Sequence, residues 1–461
     1  MSHKFLIKIP DSCINEQKYV LDYIFDEVFE IPFDIEIHDQ KHIEINYQIK
    51  SIHLNADFFN NANENWLNKK SMPTLPLPIW ELQKDNIVSN CVDQSLPILF
   101  GQPGFNTSCN SFFIKSDLFG SIFFMLSRYE EIIISTKDSH DRVSANSSIA
   151  HKADFLHRPI VNEYIEVLWF FLKKQWPNLK RKQRMFTKYI SCDVDHIIDP
   201  ASFSLKKTIK RFFARVFRDR LFAQAFLDVL NYFSIKFGIY RYDSCLQGIK
   251  KIIELNSKVG NEVTFNFIPL ETHKDFDRNI LFNTDKGREI IELIVTSGHK
   301  IGFHPGYDTF DNLNSFEESF LTFTSNLKLL NISTNYIGGR QHYLRYDISR
   351  TPLIWNKMKL KYDSSLAYAE KAGFRCGICY EFPMYDLINR KTLSLIQRPL
   401  TIMEGTIIDY EGLGLSQEAV SRFNYFKNLC KQFNGDFVLL WHNSSLVRNE
   451  EVIIYRELIE D

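Results

Sequence analysis

No run in this chain approaches the length needed to cross a bilayer. A spanning helix takes about 20 consecutive apolar residues, and the most apolar stretch here is the short Phe119–Leu126. Met1–Cys13 has no apolar core of the kind a secretory leader carries. These absences predict a cytoplasmic protein. An excess of either charge is missing too. Against 56 Asp and Glu stand 55 Lys and Arg, a formal net charge of −1, which argues against nucleic acid as the main partner. Cysteine is sparse, eight residues scattered over 461, so reduced thiols are expected and not a disulfide framework. The lone Cys376-Gly-Ile-Cys379 has no second pair to complete a zinc site. What the chain does have is aromatic residues. Its 40 Phe and 20 Tyr supply a core and candidate ring platforms for sugars.

At this length two domains are the natural expectation. The first 180 residues read as α+β. Lys4–Ile9 alternates like a strand, and Lys18–Phe29 carries apolar residues at helical spacing. Ile35–Tyr47 alternates about the polar Asp39-Gln-Lys41 and predicts a hairpin with one buried face. Asp117–Ile134 predicts a helix with Asp117 at its N-cap. Pro159–Trp176 predicts an amphipathic helix stopped by Pro177. Nothing here forms a catalytic constellation. Arg128-Tyr-Glu-Glu131 and Asp141-Arg142 read as salt-bridge clusters. The basic run Lys180–Arg184 reads as a linker, dividing the chain into 1–180 and 181–461.

In the second part helix and strand alternate, which argues for parallel strands with crossover helices. The strand ends carry the chemistry. Asp193-Val-Asp195 follows Phe186–Ile190, and two carboxylates two apart on an extended segment share a face. Like charges held together at a strand's C-terminal end invite a divalent cation. After the strand Lys300–Phe303 come His304 and Asp308, which converge if Pro305 opens a helical turn. Imidazole plus carboxylate suits Zn²⁺ and similar ions. In Gly338-Gly-Arg340-Gln-His342-Tyr-Leu-Arg345, both arginines can orient a carboxylate and His342 is a further candidate ligand. Tyr362-Asp363-Ser and Gly373-Phe-Arg375 are further polar clusters. Phe437–Leu440 reads as a buried strand delivering Trp441-His442, a natural position for a general acid or base. The segment Lys206–Arg220 holds seven cations, with Asp219 as its one acid, among interleaved phenylalanines. Such a helix can lie on an anionic membrane, or simply present a solvated cationic face.

Asp193-Val-Asp195, Gly302-Phe-His304, Arg340, Tyr362-Asp363-Ser, Gly373-Phe-Arg375 and Leu440-Trp-His442 occur in the order seen in polysaccharide deacetylases of the NodB-homology type. The chain resembles a bacterial branch of these metal-dependent carbohydrate esterases that carries an extra N-terminal domain of undefined function. Phe119–Glu131 and Arg158-Pro-Ile-Val161 look like that domain's hallmark runs. The resemblance implies an α/β fold, a distorted (β/α) barrel of about seven strands preceded by a smaller α+β domain. It implies Asp193 as catalytic base, Asp195 as metal ligand, His304 as first metal histidine, Arg340 as the arginine that orients the base, and His442 as the late catalytic histidine. The sequence also departs from the family. Val194 splits the usual Asp pair, Asp308 stands where the second metal histidine belongs, and His342 occupies the proline position of Arg-x-Pro. The ligand set is then Asp195, His304 and Asp308, or one completed by His342.

On this reading the protein removes N-acetyl or O-acetyl groups from a saccharide in bacterial surface-polysaccharide biosynthesis. It would use a divalent metal, Zn²⁺ first, with Co²⁺, Ni²⁺ or Mn²⁺ as alternatives. Tyr307, Tyr343, Trp441 and Tyr380 are candidate sugar platforms, with Arg345, Asp363 and Arg375 as polar contacts to substrate. A cytoplasmic location favours a nucleotide- or lipid-linked saccharide, with 206–220 as a peripheral membrane contact. Two other classes stay open: an inactive carbohydrate-binding or scaffold relative, and a metal-dependent hydrolase of non-sugar C–N bonds.

Overall fold

The structure, a computed structural model, describes residues 4–218, 220–278 and 280–460. Asp219 lies outside them. Strands of period-two alternation near the N-terminus form a six-stranded mixed sheet. Its order is Phe33–His38, Phe5–Pro10, His42–Tyr47, Lys50–Asn55, Ser111–Ser116 and Gly101–Thr107. The predicted 35–47 hairpin does not form. Phe5–Pro10 inserts between its two arms, pairing parallel to one and antiparallel to the other. Alternation fixes which face of a strand is buried but not which strand lies beside it.

Asp117 does cap a helix, Leu118–Leu126, accepting a 2.7 Å bond from the Gly120 N–H. That helix is buried on all sides and stops well short of Ile134. Arg128 takes a φ of 54°, and a short helix, Glu130–Ile133, follows. Ile160–Gln175 forms a further helix of this part, and Ile14–Leu21 continues into the π-helical Asp22–Phe29.

The site is built on a second, five-stranded sheet. Its order is Lys300–Phe303, Val263–Phe267, Thr187–Val194, Asp436–Leu440 and Ile402–Met403, and every pair is parallel. Helices Ser244–Lys258, Asp285–Thr296, Leu313–Leu329 and Gln417–Gln432 alternate with these strands in the chain. The continuous apolar run Phe437–Leu440 is buried throughout, as a parallel strand covered on both faces must be. Single bridges through Gly339 link Phe303 to Asp363. From there Tyr362–Asp363 pairs with Lys391–Gln397, and Lys391–Gln397 with Phe382–Asp386. Among the described residues no ladder joins the Ile402–Met403 edge to the Phe382–Asp386 edge. The chain is mixed α/β with several sheets, and among the described residues these ladders do not close into the expected distorted barrel of about seven strands. Because the five strands run the same way, their C-terminal ends open on one edge, where α/β proteins gather chemistry.

Candidate metal centre and active site

Asp195 follows the Thr187–Val194 strand and His304 follows Lys300–Phe303. His342 sits in the loop after Gly339. The three side chains meet. Asp195 Oδ1 lies 3.4 Å from His304 Nε2 and 3.5 Å from His342 Nε2, and all three ligating atoms fall within 4.8 Å of one another. Each imidazole is turned by its other nitrogen. His304 Nδ1 is 2.5 Å from the Arg340 carbonyl, and His342 Nδ1 is 2.8 Å from Asp277 Oδ1. A proton on Nδ1 leaves the Nε2 lone pair facing Asp195, as metal-binding histidines are usually held. Asp195 Oδ1 is buried with no hydrogen-bond partner, a costly state that a cation at the centre of the triad would relieve. Burial pushes the Asp195 carboxyl up, but His304, His342 and His442 together hold it well below the usual range. The residues present therefore fit a divalent metal.

Asp193 stands beside this centre and is anchored on one oxygen. Its Oδ1 accepts 2.7 Å from Asn266 Nδ2 and 2.9 Å from an Arg340 guanidinium nitrogen. Oδ2 faces the triad, 3.9 Å from His304 Nε2. Burial would raise this carboxyl's pKa, but Arg340, helped by His304, His442 and Asn266, holds it below the ordinary value. Arg340 is itself fixed by the Ser364 carbonyl and by the hydroxyls of Ser191 and Ser364. Across the opening His442 Nδ1 meets Glu404 Oε1 at 2.6 Å, and its backbone N–H donates to the same oxygen. Nε2 is left facing Asp195 Oδ2 at 3.8 Å. Burial would lower this imidazole's pKa, but Glu404, then Asp195 and Asp193, push it up to about 10. These groups line a cavity of about 310 Å³ with Tyr343, Met403 and Tyr410, and Arg142 reaches it from the first part of the chain.

Several predicted site residues lie elsewhere. Asp308 does not join the triad. His304-Pro305-Gly306 runs extended, Gly306 having ψ 170°, and a 3₁₀ turn begins only at Tyr307. The helical spacing that would align Asp308 with His304 is therefore absent, and Asp308 pairs with Arg345 at 3.2 Å. Arg345 and Tyr307 form a dock for the loop 138–142. Arg345 stacks on Tyr307 and Phe310 and binds Asp141 and the His140 carbonyl. The Tyr307 hydroxyl meets His140 Nδ1. Trp441 is core, fully buried against Phe423 and Tyr455, and Tyr380 is buried with its hydroxyl on the Phe433 carbonyl. Asp363 is buried on the Ser365 hydroxyl and N–H, its carboxyl pushed up to about 6 by burial. Arg375 makes a bidentate pair with Glu131. Of the predicted substrate contacts only Tyr343 lines the cavity. Cys376 and Cys379 are free buried thiols.

Asn266, Asp277 and Glu404 are the functional side chains that sequence reasoning missed. Asn266 carried a signal: it is a buried amide between Phe265 and Phe267 near the end of the strand Val263–Phe267, in register with Asp193. Glu404 follows a two-residue strand and Asp277 lies in a loop, and neither has a periodic pattern around it.

Residues 5–177 match a family of unknown function (DUF7033), a span that covers the first sheet and its helices and ends before the site sheet. No curated protein matches this chain. Among solved structures it is similar to a crystal structure from Mycobacterium smegmatis provisionally described as a polysaccharide deacetylase. That similarity has 15% identity and a TM-score of 0.38, and covers 60% of this chain and 84% of the other.

Proposed function

We propose that the protein is a metal-dependent hydrolase that removes an acetyl group from a nitrogen or oxygen of a saccharide. One observation carries this reading: an Asp-His-His triad shares a cavity with an anchored carboxylate on one side and a carboxylate-held imidazole on the other. Asp195, His304 and His342 would hold the ion, and two imidazoles with one carboxylate suit Zn²⁺, or Co²⁺, Ni²⁺ or Mn²⁺. Three protein ligands leave positions open, and a bound ion would there polarise the acyl carbonyl and acidify a water.

The chain's own groups supply the proton steps. Asp193 Oδ2, the oxygen not engaged by Arg340 and Asn266, takes a proton as water adds to the acyl carbon. Arg340 keeps that carboxylate ionised and aimed. His442 Nε2 gives a proton to the departing nitrogen or oxygen as its bond to the acyl carbon breaks. The products are acetate and a free amine or alcohol. Glu404 fixes the tautomer and supports the imidazolium. Tyr343 offers its ring at the cavity wall, and about 310 Å³ is at the small end of ligand pockets, suited to one sugar unit at a time.

Metal analysis of purified protein beside three variants tests the reading. About one equivalent is expected in the wild type and in Asp308→Ala, and none in His304→Ala or Asp195→Ala. Release of acetate from N-acetylated sugars, but not from cyclic or linear amides, should follow the metal. Failure to take up Zn²⁺, Co²⁺, Ni²⁺ or Mn²⁺ would overturn the hydrolase and favour an inactive saccharide-binding protein.

A further inference from the structure

Helix Leu205–Phe213 runs on into a π-helical segment, Ala214–Arg218, and this arm packs against helix Phe222–Ile235 as a hairpin. This hairpin is inside out. One set of its polar side chains faces the body of the protein. Asn231 donates to Ser202 and Asp243, and Thr208 bonds to the Ala201 carbonyl. Arg211 pairs with Asp199 on the body, and Arg215 with Asp228 inside the hairpin. Its apolar side chains face outward. Ile209, Phe213 and Phe217 recur at four-residue spacing on the first arm, and Phe222, Phe226 and Phe233 at three- to four-residue multiples on the second, each about half exposed or more. All seven exposed phenylalanines among the described residues lie between Phe203 and Phe237. Scattered exposed apolar residues need no explanation, but a continuous stripe of this kind marks a covered surface.

The charge says what covers it. Residues 203–241 contain nine Lys and Arg against two Asp, in a chain whose net charge is −1. Exposed Lys206 and Lys210 flank the apolar stripe on the first arm. A second copy docking by this face would press two cationic surfaces together. An anionic lipid surface takes both features at once, the rings into the headgroup boundary and the cations onto phosphates. The arms are also too short to span: none of the described helices is long and apolar enough to cross a membrane. They would lie in its plane.

We propose that this hairpin docks the protein on an anionic membrane. The hairpin also borders the site. A cavity of about 520 Å³ lies between it and the loops that follow the strands Thr187–Val194 and Asp436–Leu440, lined by Lys207, Arg211 and Arg215, and its walls at His196 and Ser444 are shared with the catalytic cavity. Docking therefore places the catalytic cavity on the body side of the membrane-bound element, one hairpin away from the lipid headgroups. With the hydrolase reading above, on which only this clause rests, the substrate class becomes a saccharide carried on a membrane lipid.

Vesicle flotation tests the docking without metal or substrate, so its result is independent of the hydrolase reading. The full chain should float with vesicles of phosphatidylglycerol and phosphatidylcholine in equal parts, float far less with phosphatidylcholine alone, and be released by high salt. Phe217→Ser/Phe226→Ser/Phe233→Ser should abolish flotation, and Lys206→Gln/Lys210→Gln should weaken it about tenfold or more. Both sets change exposed side chains, and circular dichroism and metal content should match wild type. No flotation with anionic vesicles at low salt would overturn the proposal. So would flotation unchanged in either variant, or a stable dimer that the phenylalanine variant disperses.

Discussion

Glu404 decides the charge that His442 carries. A buried imidazole prefers to be neutral, but a carboxylate at 2.6 Å on Nδ1, with Asp195 and Asp193 beyond, reverses that preference. In metal-free protein His442 should stay protonated through pH 8. Replacing Glu404 with Gln keeps the shape and removes the charge, so the imidazole should titrate nearer its ordinary value of 6.5. Histidine ring resonances followed by NMR against pH would show this, and an unchanged titration in Glu404→Gln would sink the pairing. The sign for stability follows from the folded value lying above the unfolded one. This histidine stabilises the fold fully below pH 6.5 and progressively less as pH rises toward about 10. The wild type should therefore lose more stability than Glu404→Gln across that alkaline window, measured by urea denaturation.

At the scale of the element, the five parallel strands do the assembling, and this much is legible in sequence. Asp193, Asp195, His304 and His442 each stand at or just beyond the end of an apolar strand, and parallel pairing puts all those ends on one edge. Where the reading fails, the backbone is irregular. Asp308 needs a helical turn that Gly306 does not start, and His342 reaches the triad from a loop that contains Tyr343 at φ 59°. Glu404 and Asp277 act across sequence gaps of 38 and 65 residues, which no local pattern reports. The glycine of Gly302-Phe-His304 is explained by the same register. A Cβ at Gly302 would sit 2.0 Å from Asn266 Oδ1, and Asn266 is the residue that holds Asp193. Gly302→Ala should push that amide off the carboxylate and lower turnover about tenfold, the worth of a charged hydrogen bond, while metal content stays near wild type. Asn266→Ala removes the same bond. The double variant should then cost little more than either alone, and additive losses in kcat/KM would refute the shared role.

On the scale of the whole molecule, residue 180 separates two sheets but not two cores. One hydrophobic cluster runs from Phe5 to Ile459, and ion pairs buried in it cross the boundary. Arg375 meets Glu131 through both carboxylate oxygens, at 2.9 and 2.7 Å, and Arg128 adds a third bond to that carboxylate. Two arginines facing Glu130 and Glu131 with no access to water form a balanced set, and removing one member leaves a bare buried charge. Arg375→Ala should cost about 3–5 kcal/mol, read as a lower urea midpoint for the whole chain. Arg375→Met paired with Glu131→Leu removes both charges and fills their volume, so it should cost less than Arg375→Ala alone. Acid should act through the same carboxyl. Burial would raise its pKa, yet Arg375 and Arg128 hold it at about 2. Its contribution is thus complete above its ordinary 4.5 and lost as pH falls from there through about 2. Wild type should weaken steeply over that range, and the Met/Leu pair, with no carboxyl left at 131, should weaken less. Equal acid sensitivity in the two would mean that some other carboxylate holds the two parts of the chain together.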